Sequence, residues 1–458
     1  MAGIGFELRR LVDDEPGFLS KLRGYACAGL ISSGPWIMTM VSLAVMGLLR
    51  DKLASLDDFD NFRALVTYSF AFSLVTVGAL QMSVTRRLAD LLYNRQYSKV
   101  LPAFTATIAA VAVVQAATGL IATYLVGFDI ATMIVWAALY TIVSLTWVAL
   151  VWLTLIRQYD QIFIAYFLGM AVSWITVRFV ATQFGLASAL AAFTAGQALT
   201  LAILVRLIVR GTEAPEGRDW SILGVLKTHP GLAFVGIFYS AAIWVDKVVF
   251  WLCDGMGTHP AIRFHPLYDT CCFLAYVTVL PALAINLVHI ETSFYERYRG
   301  YYASILSGLP LQEMERKRGE MIDNLREGAV RLVRIQGAIS LLCVALAPWI
   351  IEILAMPATA VRVFQLACIG ALFHVLLLIT TLVLLYFDLR RAALLSCATF
   401  FVLNGFLAVS SLRVGVHTYG LGYALASLIS LLLAFSLLGR GLRDLAFHTF
   451  TNQAKLLD

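Results

Sequence analysis

The sequence predicts an all-α integral membrane protein with about twelve transmembrane helices, arranged in two six-helix lobes around a central cavity. Of its 458 residues, 60% are hydrophobic and 14% are charged, and the mean hydropathy is +0.83. Soluble domains have about 45–50% apolar and about 25% charged residues, so this composition indicates a chain embedded in membrane lipid. It excludes a disordered chain, a coiled coil and a nucleic-acid-binding domain.

Twelve apolar stretches are long enough to cross a hydrocarbon core about 30 Å thick, which takes about 20 helical residues. Each stretch is bounded by charged residues, Pro or Gly. The predicted spans are 25–49, 64–84, 102–126, 131–156, 161–183, 187–209, 231–253, 268–290, 332–354, 363–386, 392–411 and 419–438.

The basic residues of the connecting segments alternate from one side to the other. One side carries 26 Lys and Arg, the other side carries 6, and Arg178 and Lys247 lie within spans. Because basic loops stay in the cytoplasm, both termini are predicted to be cytoplasmic. The predicted order is an amphipathic N-terminal segment, an N-lobe, a linker, a C-lobe and a tail, at 1–24, 25–209, 210–230, 231–438 and 439–458.

Two predicted spans at matching positions of the lobes are interrupted. Span 1 contains Ser32-Ser33-Gly34-Pro35, and span 7 opens with Pro230-Gly231 and contains Gly236. Pro removes a backbone donor and Gly permits a bend. Interrupted helices at corresponding positions of two repeats are typical of a transport site.

Charged and aromatic residues within the spans are the candidate cavity and translocation residues, because a charge at a helix centre costs at least about 2.5 kcal/mol unless it is paired or hydrated. Asp246 and Lys247 are neighbours and point about 100° apart on a helix, so they cannot be a stacked i,i+4 pair, and each is expected to need another partner or water. Arg178 is one candidate partner for Asp246. The full candidate set is Ser32, Trp36, Trp174, Arg178, Tyr239, Ser240, Trp244, Asp246, Lys247 and Trp251.

The segment 291–331 is the longest connection on the basic side and has apolar residues at helical spacing. Two interpretations stay open: a solvated amphipathic helix on the lipid headgroups, or a docking surface for a cytosolic partner formed by Met314, Met321 and Leu325.

The sequence offers little for catalysis or cofactor binding. The seven cysteines show no CxxC spacing, and there is no Walker A sequence. The loops predicted to face outward are too short for a catalytic domain, which argues against a polytopic glycosyltransferase. We therefore expect no catalytic residue, no metal and no cofactor. Aromatic, amide and hydroxyl groups, with few cations to clamp a diphosphate, favour a neutral sugar as cargo.

Three stretches of the sequence resemble the PelG family. They are Ala2 to Arg9, Tyr25 to Trp36 and Trp244 to Trp251, and the similarity extends over essentially the whole chain. The resemblance implies a fold of the flippase superfamily, in its polysaccharide-transporter branch. It also implies export of an N-acetylgalactosamine-rich exopolysaccharide of biofilms across the bacterial inner membrane. The implied partners are a cytosolic glycosyltransferase, a cyclic di-GMP-binding membrane subunit and a further membrane-associated subunit.

The predicted function is a non-enzymatic translocation subunit that passes a nascent glycan outward. The alternative is an alternating-access carrier, either a flippase for lipid-linked sugars or a cation-coupled antiporter in which Asp246 is the coupling carboxylate.

Overall fold

A computed structural model describes residues 56–447, apart from gaps at 154–158, 216, 218, 221–223, 229 and 260. The predicted span 25–49 lies outside these residues. The first half of the described chain contains α1 (Leu56–Tyr93), α2 (Val100–Val126), α3 (Ile130–Leu153), α4 (Tyr159–Gly211), the short α5 (Val225–Thr228), α6 (Pro230–Asp254), β1 (Met256–His259) and β2 (Ile262–Phe264). The second half contains α7 (Pro266–Val277), α8 (Leu280–His289), α9 (Tyr295–Leu306), α10 (Leu311–Ile353), α11 (Thr359–Tyr386), α12 (Arg390–Val414) and α13 (Leu421–Arg443).

Eleven segments of the described chain are long and apolar enough to cross a membrane. They correspond to the predicted spans from the second to the twelfth, so the all-α, multi-pass fold class is confirmed. Helix α4 holds two of these spans and is kinked at Gly185, where φ is 77°. A positive φ suits Gly, which lacks the Cβ that disfavours this region in other residues.

The described residues form two compact units, separated in the chain between His265 and Pro266. In the first unit α1 packs against α3 and α6, and α3 also packs against α2 and α4. In the second unit α11 and α12 pack against α13, while α7 and α10 pack against α11. The first unit includes α6, which the sequence analysis assigned to the C-lobe. The lobes 25–209 and 231–438 stay a prediction.

A short β-hairpin follows α6, in a loop for which the sequence analysis predicted no strand. Strands β1 and β2 are antiparallel, and Met256 pairs with Phe264. Tyr68 of α1 holds the hairpin, since its hydroxyl accepts a hydrogen bond from Arg263 N at 3.0 Å and donates one to Arg263 O.

At two helix interruptions in the second unit, a glutamine side chain donates a hydrogen bond to a backbone carbonyl oxygen. Pro348 in α10 has no N–H for the carbonyl of Val344 four residues earlier, and Gln365 Nε2 donates to that oxygen at 3.0 Å. The chain also breaks between α7 and α8, where Gln336 Nε2 donates to Thr278 O at 3.2 Å. Both amides replace hydrogen bonds that a continuous helix would have made.

The segment 291–331 forms a helical hairpin rather than one isolated helix. A π-turn at Ile290–Phe294 leads into α9, and α9 packs against the first part of α10 after a turn near Gly308. Helix α10 has 43 residues, which gives a length of about 64 Å, or twice the thickness of a hydrocarbon core. The hairpin is therefore a continuation of a predicted membrane helix.

The apolar stripe of this segment packs partly inside the protein, which removes Met321 from the predicted docking surface. Met321 is 0% exposed and belongs to a hydrophobic cluster. Leu325 packs against the same cluster. The other members of this cluster are Ile290, Phe294, Tyr301, Val383, Phe387 and Leu445. Met314 is half-buried. The stripe fastens the hairpin to the ends of α11 and α13, so Met321 has no surface to offer a partner.

Helices α1 and α6 cross at two glycines. A Cβ added to Gly78 would lie 2.7 Å from Ser240 Oγ and 2.8 Å from Gly236 O, and one added to Gly236 would overlap Gly78 O. Gly at such a position lets two membrane helices approach closely. The crossing brings the polar face of α6 against α1.

We expect Gly236→Ala to lower the free energy of unfolding by about 1–3 kcal/mol, because its Cβ would overlap backbone rather than a flexible side chain. Gly231 of the same helix has open space around it, so Gly231→Ala is the matched control and should leave stability unchanged or slightly higher. Thermal unfolding of the two purified variants in detergent measures the difference. Equal melting temperatures would show that the two helices do not touch at Gly236.

A second prediction concerns Met321. We expect Met321→Ala to destabilise the protein by about 2–5 kcal/mol, because it leaves a cavity in a closed cluster. Leu311 begins the same helix and is 65% exposed, so Leu311→Ala should have almost no effect. Protease sensitivity of the hairpin in membranes, compared between these variants, reports the loosening. A Met321→Ala hairpin as resistant as the Leu311→Ala hairpin would refute the packing described here.

Candidate functional site

The polar face of α6 contains the charged and aromatic residues predicted from the sequence. Ser240, Trp244, Lys247 and Trp251 follow one another at intervals of three or four residues and share one side of the helix. Ser240, Lys247 and Trp251 are buried, and so is Asp246 beside them. The prediction that this face turns away from lipid agrees with their burial.

Asp246 and Lys247 form an ion pair within one helix. Lys247 Nζ lies 3.1 Å from both carboxylate oxygens of Asp246 and donates to Ile243 O at 3.0 Å. Asp246 is 0% exposed and Lys247 is 5% exposed. Although the two side chains leave the helix about 100° apart, the four-carbon stem of Lys spans the angle between them and lets the neighbours pair. The net charge of the pair is zero.

Arg178 is not the partner of Asp246. Its side chain is exposed, and none of the ion pairs among the described residues joins it to that carboxylate. Trp174, one turn earlier, is half-buried and packs at the edge of the hydrophobic cluster formed by α1, α3 and α4. The structure therefore places Trp174 and Arg178 apart from the ion pair of α6.

Aromatic rings extend from the ion pair toward the end of α6. The Trp244 and Trp251 rings have centroids 6.2 Å apart, and Trp251 is 4.9 Å from the Tyr68 ring of α1. The indole N–H of Trp244 is buried and has no hydrogen-bond partner in the part of the chain that the structure describes. Trp251 is thus a packing residue, whereas Trp244 retains a donor for another group.

Of the three remaining candidates, the structure describes one. Tyr239 is half-buried on α6, whereas Ser32 and Trp36 lie outside the described residues. Whether any of the ten candidates contacts cargo stays a prediction.

A second polar group in the first unit was not predicted as a cluster. Gln115 Nε2 donates to Thr76 Oγ1 at 3.0 Å, and that hydroxyl lies 3.0 Å from Tyr140 Oη. These residues connect α1, α2 and α3. The only sign of this cluster in the sequence is that each of the three polar residues lies in an apolar stretch. The sequence does not show that the three side chains meet.

The second unit has its own buried polar group. His374 Nδ1 is 2.8 Å from Tyr423 Oη, and the rings of Tyr276 and Phe400 pack against the imidazole. Among the described residues no three His, Cys, Asp or Glu side chains are placed to hold a metal ion. Each unit therefore contains buried hydroxyl groups and aromatic rings between its helices, and the first unit also contains the ion pair.

Solved structures of low sequence identity share the fold. A variant of the Vibrio cholerae MATE transporter VcmN is 13% identical over 97% of this chain and 99% of its own, with a TM-score of 0.62. An inward-facing multidrug resistance MATE transporter of the MOP superfamily is 11% identical over 97% and 99%, with a TM-score of 0.58. A MOP superfamily transporter from Pyrococcus furiosus is 13% identical over 97% and 94%, with a TM-score of 0.53. These likenesses show a flippase-like membrane fold.

No curated protein matches the sequence. A family model does match, over residues 1–450, and its description is "PelG: Putative exopolysaccharide Exporter (EPS-E)". The family and the solved structures are transporters, a class of proteins that are in general not enzymes. Because the match extends over almost the whole sequence, this multi-pass membrane protein belongs to the PelG family of exopolysaccharide exporters.

Proposed function

We propose that this chain is the translocation subunit that exports a nascent Pel-type, N-acetylgalactosamine-rich polymer across the bacterial inner membrane, with both termini in the cytoplasm. The observation that carries the proposal is the family match over residues 1–450. The orientation rests on the excess of Lys and Arg in alternate connecting segments.

The polar face of α6 supports a cargo without net charge. The carboxylate of Asp246 is compensated by Lys247 at 3.1 Å, so the pair presents dipoles rather than a free charge. Trp244 offers a ring face and an indole donor, the combination that lets an aromatic residue contact a group that is apolar on one side and polar on the other. A sugar ring has this character.

The fold shared with multidrug MATE transporters favours one alternative, an alternating-access carrier that exchanges cargo for a cation or flips a lipid-linked sugar. Asp246 is a poor coupling site for that mechanism, because both of its carboxylate oxygens lie 3.1 Å from an ammonium group. A cation would have to displace Lys247 first. Processive export of a growing polymer therefore fits this residue better.

The proposed partners act before and beside the translocation step. A cytosolic glycosyltransferase would supply the polymer, and a cyclic di-GMP-binding membrane subunit with one further membrane-associated subunit would complete the machinery. This part of the proposal rests on membership of the family alone.

The proposed function predicts where polymer accumulates. Cells that retain the polymerising enzyme but lack this chain should contain the polymer in the cytoplasm and release at least about tenfold less into the medium, because the glycan has no path through the hydrocarbon. Quantifying polymer in cell lysates and medium with a hexosamine assay tests this expectation. Normal polymer in the medium would refute the proposal, and accumulation of a lipid-linked oligosaccharide would favour the flippase alternative.

The ion pair gives a test of the site that separates folding from transport. Asp246→Asn and Lys247→Gln should each lower protein abundance, because removing one partner of a buried pair costs about 3–5 kcal/mol. The double variant removes both charges of the pair together, so its abundance should be closer to normal than that of either single variant. If the pair serves transport, the abundant double variant will secrete several-fold less polymer than the wild type.

Glu352→Gln is the matched control, since it removes an exposed charge from another predicted span and is not one of the candidate translocation residues. It should change neither abundance nor secretion. Normal secretion by the abundant double variant would remove the ion pair from the transport path and leave it a purely structural feature.

A further inference from the structure

An open apolar groove runs along one face of the second half of α4. It has a volume of about 580 Å³, within the range of small-molecule sites. The described residues that line it recur at positions i, i+3 and i+4 and so share one face of the helix. They are Ala198, Leu201, Ala202, Val205, Arg206, Val209 and Arg210. The small alanines leave room at one end, and the two arginines lie at the other, beside the linker.

The arginines of this groove have no counter-ion within the described protein. Arg206 and Arg210 are both exposed, and neither forms an ion pair or a side-chain hydrogen bond with any residue that the structure describes. They are one helical turn apart, so both guanidinium groups can reach the same ligand. No acidic side chain is among the described residues of the groove. Within the part of the chain that the structure describes, this end of the groove therefore carries positive charge without a counter-charge.

A single ligand that fills the whole groove must be apolar at one end and anionic at the other. From Ala198 to Val209 the helix rises by about 17 Å, enough for most of an acyl chain in one leaflet of a hydrocarbon core about 30 Å thick. Guanidinium groups bind phosphate through paired hydrogen bonds. A soluble anion would leave the apolar part empty, and an apolar helix of a partner would leave both charges unpaired.

We propose that this groove binds an anionic phospholipid, with an acyl chain along Ala198, Ala202 and Val205 and its phosphate between Arg206 and Arg210. The site goes beyond export of the polymer, since the lipid is a resident of the membrane and not the cargo. Basic pockets at the boundary of membrane helices recognise anionic headgroups in this way. Phosphatidylglycerol and cardiolipin fit, whereas a zwitterionic headgroup carries its own compensating ammonium.

The test is native mass spectrometry of the purified, full-length protein in detergent, titrated with phosphatidylglycerol or with phosphatidylcholine. Wild type should retain phosphatidylglycerol in preference to phosphatidylcholine. The Arg206→Gln, Arg210→Gln double variant should bind phosphatidylglycerol about 30-fold more weakly, because each basic residue near an anionic surface contributes about 1 kcal/mol. Its melting temperature in lipid-free detergent should equal that of the wild type, since neither side chain has an ion pair or hydrogen bond to lose among the described residues.

Two further variants test the apolar half and the specificity of the basic half. Ala202→Phe fills the groove and should weaken binding of phosphatidylglycerol without changing any charge. Arg440 and Arg443 are exposed at the end of α13, and the Arg440→Gln, Arg443→Gln variant should keep wild-type affinity. The proposal is overturned if phosphatidylglycerol binds the Arg206 and Arg210 variant as tightly as wild type. It is also overturned if the Arg440 and Arg443 variant loses as much affinity, or if Ala202→Phe has no effect.

Discussion

Within the hydrocarbon there is no water to satisfy a backbone N–H or C=O, and every feature of this structure depends on that constraint. A continuous helix satisfies each group internally, which explains why the described spans are all helical. Where the helical ladder is interrupted, a side chain must replace it. Gln365 does so for the carbonyl that Pro348 leaves without a donor, and Gln336 does so at the break between α7 and α8. Both amides come from a neighbouring helix, so each break also joins two helices.

The same constraint explains the form of the buried ion pair. A lone carboxylate in this environment would lose its hydration without compensation, and neutralisation from another helix would restrict where that helix can lie. In α6 the neutralising ammonium comes from the next residue and bonds one carbonyl of the same turn. The bond between Asp246 and Lys247 therefore lies within one helix.

The sequence was sufficient to predict the fold class, because long apolar stretches bounded by charged residues, Pro or Gly are a pattern of hydrophobicity that does not depend on particular contacts. It was not sufficient to predict contacts. Met321 follows the helical periodicity of a surface stripe, yet the stripe faces other helices of the same chain, and periodicity does not say what lies opposite. The adjacent positions of Asp246 and Lys247 predict the angle between their Cβ directions. They do not predict how far the flexible lysine side chain extends toward its neighbour. The β-hairpin after α6 was missed because its strands have only four and three residues, too few to show an alternating pattern.

Helix α10 is one element from Leu311, just after the turn near Gly308, to Ile353, and Pro348 interrupts its hydrogen-bond ladder near its C-terminal end. Its exposed first turns lie about 30 Å along the axis from Leu332, where the predicted span begins. A rod of this kind has no joint at the predicted edge of the bilayer, and the cluster around Met321 contacts it about 16 Å from Leu332. A small tilt of the intramembrane portion is consequently magnified into a larger sideways displacement of the far end. The distance between a fluorophore at the turn and one on the body of the second unit would therefore report rearrangements inside the membrane from a position in the aqueous phase.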